Sequence, residues 1–396
     1  AIDGSDVNPW AWAVYRSQTE VISAPATLRL PVEHLQVEGQ IILAAAALAD
    51  RPVNVRFEAQ RTAGDGWSGN LRAATPGFAL QGEGRYDPVS DRLDYRITAA
   101  TLELKAWQDY VQRAVLLPGG FWELEGRLNA TAEGHYAGKR RGATGRVQLT
   151  DARLINPARG VTIDGLTAGL EFTDFLHLRS SPGNVRVREL RSGDLVLTDL
   201  ELTVAFEGFE RMAVSRATLS AFGGRLAAEP FRVFPAQQEL AVVLVAEGLD
   251  MARLLTATHD VPARATGRVD GRLPLRLDSA GLRLGTGWLE LQRGTHAEVQ
   301  FNAPGLLTSG LSPGAAGYVM LRKVETGLLR LRVDEMRLDL RPPGGPPGRM
   351  AVLHLAGEPA GPALPAPVVF EVNIDGPVEQ HLNLGFDSRV RFNPVR

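Results

Sequence analysis

The amino-acid sequence predicts a mostly β protein with many antiparallel strands and two or three short helices. Apolar and polar residues alternate in segment after segment, as strands with one solvent-exposed face require. The 396 residues include 42 glycines and 25 prolines, which separate these segments as turn signals. A few short helices cannot cover about twenty strands of ordinary length. Either the sheets cover each other as sandwiches, or the sheet curls and its apolar face lines an interior.

The first clear element along the chain is a β-hairpin. It begins in the longest apolar run, Ile41 to Ala49, which is too short for a membrane-spanning helix of about 20 apolar residues. Turn residues follow at 50–52, and residues 53–60 then alternate. This order of an apolar run, a turn and an alternating segment favours a hairpin over a helix.

Helical spacing is confined to three places. The positions of Trp107, Val111 and Val115 predict one short helix that ends before the next Pro-Gly pair. Asp250 is the predicted N-cap of a second helix. Residues 8–21 would form the third. We expect the rest of the chain to consist of strands and turns.

The later segments place aliphatic residues at every second position. The alternation reverses at Asp199 and again at Asp334-Glu335, which predicts a turn or a β-bulge at each point. Two Pro/Gly-rich stretches, 341–350 and 356–367, are predicted to be irregular connections between strands. The predicted apolar-face residues of these segments are Leu202, Val204, Phe206, Leu240, Val242, Leu244, Val269, Leu273, Leu275, Leu277, Leu329, Leu331, Val333, Val368, Phe370, Val372 and Ile374.

Composition and motifs exclude several classes of site. The chain has no cysteine and a net charge of −2, so it has neither thiolate chemistry nor a field that favours nucleic acid. None of its seven histidines has metal-ligand spacing. Gly82 and Gly84 half-match a dinucleotide-binding loop but lack its third glycine, and a hairpin turn is predicted there instead. Nothing supports an enzyme, and no cofactor is expected.

A resemblance covers the chain from about Gly145 to Asn383. The stretches GRVQLTDARL, IDGLTAGLEF, GDLVLTDLEL, FGGRLAAEPFRV, VAEGLDMARLL, GRVDGRLPLRL and GTGWLEL occur in that order. Their order and spacing resemble the YdbH-type branch of the AsmA-like bacterial envelope proteins. Two features depart from the family pattern: GEPAGP from Gly357 stands where the family tends to have GRNP, and Ala366-Pro367 replaces the usual Arg-Pro.

This resemblance implies a bridge-like lipid-transfer protein. The expected fold is an elongated, curled antiparallel sheet that forms a hydrophobic groove, β-taco-like in shape, for phospholipid tails. Residues 1–144 and 145–396 would be two segments of one continuous body, and the apolar-face residues named above would line the groove. Phospholipid is the expected cargo.

The resemblance also implies a place and a partner. The expected location is the periplasm of a Gram-negative bacterium, between inner and outer membranes. The chain begins at Ala1 without a leader-like segment, which favours a mature or trimmed fragment. The resemblance implies that it is the C-terminal part of a longer protein with an N-terminal inner-membrane anchor. A small outer-membrane lipoprotein is expected to add strands at the C-terminal end, on the edge formed by Leu382, Leu384 and Phe386.

Two other functions remain open from the residues alone. The same alternation suits a structural β-sandwich protein of the envelope that binds protein partners. A hydrolase acting on envelope polymers would need two carboxylates that face each other in a cleft, and no such pair can be nominated.

Overall fold

The computed structural model describes residues 34–42, 52–62, 66–115, 121–138, 140–193, 195–234, 240–256, 263–278, 281–301, 318–319, 322, 330–341, 349–359 and 368–375. The predicted fold class is confirmed: the described chain is mostly β, its strands belong to one antiparallel sheet, and it has two short helices. The predicted helix at 8–21 lies outside the described residues. So do Leu329 and the predicted partner edge of Leu382, Leu384 and Phe386.

Strands make up most of the described chain. In chain order they are β1 His34–Ile42, β2 Pro52–Arg61, β3 Trp67–Thr75, β4 Phe78–Asp87, β5 Arg92–Glu103, β6 Glu123–Ala137, β7 Arg140–Asn156, β8 Val161–Asp174, β9 Arg179–Ser180, β10 Gly183–Ser192, β11 Leu195–Phe206, β12 Met212–Ala221, β13 Gly224–Ala228, β14 Phe231–Val233, β15 Leu240–Asp250, β16 Ala263–Ala265, β17 Arg268–Asp278, β18 Gly281–Leu284, β19 Gly287–Leu291, β20 Ala297–Phe301, β21 Arg330–Leu340, β22 Arg349–Pro359 and β23 Val368–Asp375. The helices are α1 Gln108–Val115 and α2 Met251–Thr256.

The chain divides into two compact units. Unit 1 comprises Ala1–Ala158, Asp164–Val185 and Ala205–Phe209. Unit 2 comprises Arg159–Ile163, Arg186–Val204 and Glu210–Arg396. The predicted division into residues 1–144 and 145–396 stays a prediction.

Unit 1 contains an antiparallel meander in which each strand from β1 to β7 pairs with the next. The predicted pairing of the two segments is confirmed, since Ile41 of β1 lies opposite Val53 of β2. Pro52, which was predicted to lie in the turn, is instead the first residue of β2, and residues 43–51 lie outside the described residues. The predicted turn at Gly82 and Gly84 is wrong, because both glycines lie inside β4 and pair with β3 and β5. The chain turns after Asp87 instead, where the Asp87 carboxylate accepts a hydrogen bond from the Val89 backbone N–H (3.0 Å).

The predicted first helix is α1, and Trp107 precedes it as an anchor. The Trp107 side chain is buried, and its Nε1–H donates to the Pro76 carbonyl (3.2 Å). Its ring meets Phe78 and Tyr110 edge to face, with centroid distances of 5.8 and 6.2 Å. These contacts hold the start of α1 against the β3–β4 hairpin.

Unit 2 shows the predicted interruptions of the strand pattern. Asp199 lies inside β11 with a φ of +53°. This left-handed conformation interrupts the regular extended backbone of the strand. The pairing of β21 with β22 shifts between Val333 and Glu335, where the alternation of the sequence reverses. The predicted N-cap is also confirmed: Asp250 Oδ1 accepts from the backbone N–H groups of Ala252 (2.8 Å) and Arg253 (3.2 Å).

A closed apolar core fills part of unit 2. Helix α2 contributes Met251 to this core, and Leu254 and Leu255 pack against it. The cluster joins side chains from strands β12 to β22. We call it the unit 2 core, and its buried members are Ala221, Leu226, Ala246, Leu249, Met251, Ala265, Val269, Leu291, Ala297, Val299, Leu331, Val333 and Leu355.

Candidate lipid-binding surface

The predicted groove residues divide into two groups by burial. Val204, Val269, Leu331 and Val333 are buried, with at most 4% of each residue exposed, and the last three belong to the unit 2 core. The others with described side chains are half-buried: Leu202, Phe206, Leu240, Val242, Leu244, Leu273 and Leu275. For Leu277, Val368, Phe370, Val372 and Ile374 the structure describes only the strand position. That these residues line a groove stays a prediction.

A second apolar surface lies in unit 1, on strands β2 to β7, where the sequence analysis had nominated no residue. The strand registers place side chains of β2 to β7 in four parallel rows on one face of the meander. No charged residue occurs in these rows. We call this set the unit 1 apolar face: Val53, Val55, Phe57, Ala59, Gly69, Leu71, Ala73, Thr75, Phe78, Leu80, Gly82, Gly84, Tyr95, Ile97, Ala100, Leu102, Leu128, Ala130, Ala132, Gly134, Ala143, Gly145, Val147 and Leu149.

Most of the unit 1 apolar face is only partly covered. Val53, Ala59 and Ala143 are buried, whereas Leu71 is 36% exposed and the remaining members are half-buried. A closed core of this many aliphatic residues would bury most of them completely, as the unit 2 core does. The same alternation of sequence therefore produces a buried cluster in part of unit 2 and a mostly half-buried face in unit 1.

One end of the unit 1 apolar face is closed. Phe78 and Leu102 form part of its last row, and Phe78 contacts the buried ring of Trp107. Trp122 and Leu124 are buried as well. Gln112 of α1 joins this end, since its Oε1 accepts a hydrogen bond from the Trp122 backbone N–H (2.8 Å).

The row at the other side of the face is built from small residues around one tyrosine. Ala59, Gly69, Gly84, Gly134 and Ala143 share this row with Tyr95. A Cβ atom on Gly134 would lie 2.4 Å from the Gly142 carbonyl oxygen and 2.6 Å from Tyr95 Oη. The Tyr95 side chain therefore packs on the backbone of Gly134, and glycine is required for that approach.

Replacing Gly134 by alanine should lower the free energy of unfolding by about 1–3 kcal/mol, because the new methyl group meets backbone and ring atoms. Gly169 of β8 is the matched control, since a Cβ there meets no atom within 4 Å. Urea unfolding of both variants, followed by circular dichroism, measures the difference. Equal stability of Gly134→Ala and Gly169→Ala would contradict the close packing at Gly134.

The opposite face of the meander is charged and solvated. Arg96 pairs with Glu83 (3.6 Å) and Glu133 (3.5 Å), and Arg127 pairs with Glu103 (3.6 Å). These pairs are exposed, so each contributes at most about 1 kcal/mol to stability. Their main effect is that the strands present one charged face and one apolar face.

Unit 1 also has a cleft of about 1050 Å³ with a mostly polar lining. Asp174 lies at its border: partial burial raises the pKa of Asp174, but hydrogen bonds from His177 Nδ1 (2.6 Å) and from backbone N–H groups bring it below its ordinary value. Among the described residues no group of acidic residues and histidines could hold a metal ion.

Comparison with known proteins places the chain in a family. The model of the YdbH-like family, described as intermembrane phospholipid transport protein YdbH, matches residues 10–296. The chain belongs to the YdbH-like family. No curated protein and no solved structure matches it. The match to the YdbH-like family begins well before Gly145, where the sequence resemblance started, and it includes the whole unit 1 apolar face.

The residues of the unit 1 apolar face were not predicted from the sequence because their hydrophobic alternation is weak. Segments 53–59, 67–75 and 78–86 alternate, but glycine and alanine occupy many of the inward positions. A search for hydrophobic periodicity therefore detects the inward face of these segments poorly. Pairing the small residues across neighbouring segments would have revealed the rows.

Proposed function

We propose that this chain carries phospholipids between the inner and outer membranes as a bridge-like transfer protein, with acyl chains lying on the unit 1 apolar face. The observation that carries the proposal is a face of four charge-free rows that is only partly covered. Membership in a family of intermembrane phospholipid transport proteins supports the choice of cargo.

The energetics of such a surface suit lipid tails. Each CH₂ group that moves from water to an apolar wall contributes about 0.8 kcal/mol, whichever part of the wall it touches. A lipid can therefore move along the face from one site to the next without a specific polar clamp. The proposed activity is transport, with no catalytic step and no cofactor, and the direction of flow comes from outside this chain.

The proposed setting is the periplasm. None of the described helices is long and apolar enough to cross a membrane. An inner-membrane anchor in the full-length protein is part of the proposal. A small outer-membrane lipoprotein is the proposed partner, and it would add a strand beyond β23, which pairs with β22 among the described strands.

Native mass spectrometry of the full chain, purified from bacteria in mild detergent, tests the proposal. We expect bound species with the masses of two-chain phospholipids, and we expect the delipidated protein to take up phospholipid again from vesicles. A chain that is lipid-free as isolated and takes up none from vesicles would overturn the proposal.

A structural envelope protein that binds protein partners is the second candidate. The unit 2 core favours it, because its thirteen buried side chains form one apolar cluster. Lipid-free protein in the experiment above, together with normal stability, would favour this candidate.

A further inference from the structure

A row of aromatic residues lies just beyond the small-residue row of the unit 1 apolar face. Trp67 faces Tyr86, Tyr86 faces Leu93 and Leu93 faces Tyr136 across four adjacent strands. We call this set, with the arginines at its two ends, the rim row: Arg61, Trp67, Tyr86, Leu93, Tyr136 and Arg141.

The rim row is more exposed than the face behind it. Tyr86 and Leu93 are each 37% exposed and Tyr136 is 49% exposed. Val89, in the turn next to Tyr86, is 86% exposed. The rim row thus marks the border between the apolar face and water.

The distance from this border to the closed end fits one acyl chain. Tyr86 lies eight positions after Phe78 in β4, which corresponds to about 26 Å along an extended strand. Half of a bilayer's hydrocarbon core is about 15 Å thick. An acyl chain that starts at the rim row and follows the strands therefore ends before it reaches Trp107.

The chemistry of the rim row matches the interfacial part of a phospholipid. Tryptophan and tyrosine combine an apolar ring with a polar tip, and they concentrate where hydrocarbon meets water. Tyr86 donates its hydroxyl hydrogen to Asp91 Oδ1 (3.0 Å), and this hydrogen bond raises the pKa of Tyr86, so the phenol stays neutral at every physiological pH. Arginine is suited to bind a phosphate through two parallel N–H groups.

We propose that the rim row holds the glycerol-phosphate region of a phospholipid, with Arg141 against the phosphate and Tyr136 against the glycerol esters. This inference rests on the proposed function, since it assumes that acyl chains occupy the unit 1 apolar face. It goes beyond that function because it makes the surface selective for phosphate-bearing lipids over uncharged lipids with the same tails.

A competition between two lipids tests the inference. Delipidated full-length chain is mixed with equal amounts of dioleoyl-phosphatidylglycerol and dioleoylglycerol, and native mass spectrometry counts each bound species. We expect the wild type to bind more of the phospholipid than of the dioleoylglycerol. In Arg141→Gln the ratio of bound phospholipid to bound dioleoylglycerol should be about five-fold lower than in the wild type. Arg140→Gln is the matched control, because Arg140 is also exposed but alternates onto the opposite face of β7.

Each outcome separates the two proposals. If the wild type loads neither lipid, the proposed function fails. If it loads both lipids equally, or if Arg141→Gln keeps the wild-type preference, lipid carriage stands and the inference about the rim row is overturned. If Arg141→Gln only weakens binding of the protein to phosphatidylglycerol vesicles, the rim row is a membrane contact and the inference is again overturned.

Discussion

Replacing Leu80 by aspartate should abolish lipid loading while leaving the protein folded. Leu80 lies in the middle of the unit 1 apolar face, opposite Ala73 and Ala100. It is half-buried, so a carboxylate there keeps part of its hydration and the meander can still form. A lipid tail covering the same position would remove that hydration, at a cost of several kcal/mol. We therefore expect phospholipid transfer between donor and acceptor vesicles to fall at least ten-fold.

Ala79→Asp is the matched control for this variant. Ala79 is the neighbouring residue of β4 and is exposed on the opposite face, so its charge should leave transfer unchanged. Circular dichroism and the urea midpoint establish that both variants are folded. Unchanged transfer by a folded Leu80→Asp variant would show that the unit 1 apolar face does not carry lipid.

Truncating Leu331 to alanine should destabilise unit 2 by about 2–5 kcal/mol. Leu331 is only 1% exposed in the unit 2 core, where its removal leaves a cavity among residues fixed by strand pairing. Urea unfolding measures the change, and Val369→Ala is the control because Val369 is 79% exposed. The control should change the unfolding free energy by less than about 0.5 kcal/mol.

This variant also tests the groove residues predicted in unit 2. If Leu331 lined a lipid groove, alanine would alter lipid loading and leave stability close to that of the wild type. A large loss of stability would instead assign this part of the predicted wall to a core. Leu273 and Leu275 are half-buried and pack against the smaller cluster of Leu284, Leu340 and Ala351, so they are the better unit 2 positions for lipid contact.

The strands, the strand irregularities and the helices were predictable because they are specified by residues close together in the sequence. Alternation located the strands, and its reversals located the irregularities at Asp199 and at Asp334. Helical spacing and a capping carboxylate located α1 and α2. Each of these signals acts over a few residues, within the range that periodicity and capping can specify.

The covering of each apolar face was not predictable in the same way. Val333 is fully buried and Leu71 is 36% exposed, although both alternate with polar neighbours. Burial depends on which distant strands and helices pack over a face, and period-two alternation does not contain that information. The predicted turn at Gly82 failed for a related reason: a Cβ there would lie 3.0 Å from the Arg96 carbonyl oxygen, and close approach of neighbouring strands favours glycine as turns do.

The meander of unit 1 makes its apolar face modular. Because each strand from β2 to β7 pairs with its neighbours in the chain, one hairpin can be added or removed without changing the register of the others. Each hairpin contributes two strands and changes the length of the face across the strands by about 10 Å. Adding or deleting a hairpin would therefore change the width of the face across the strands while its depth along the strands stays constant.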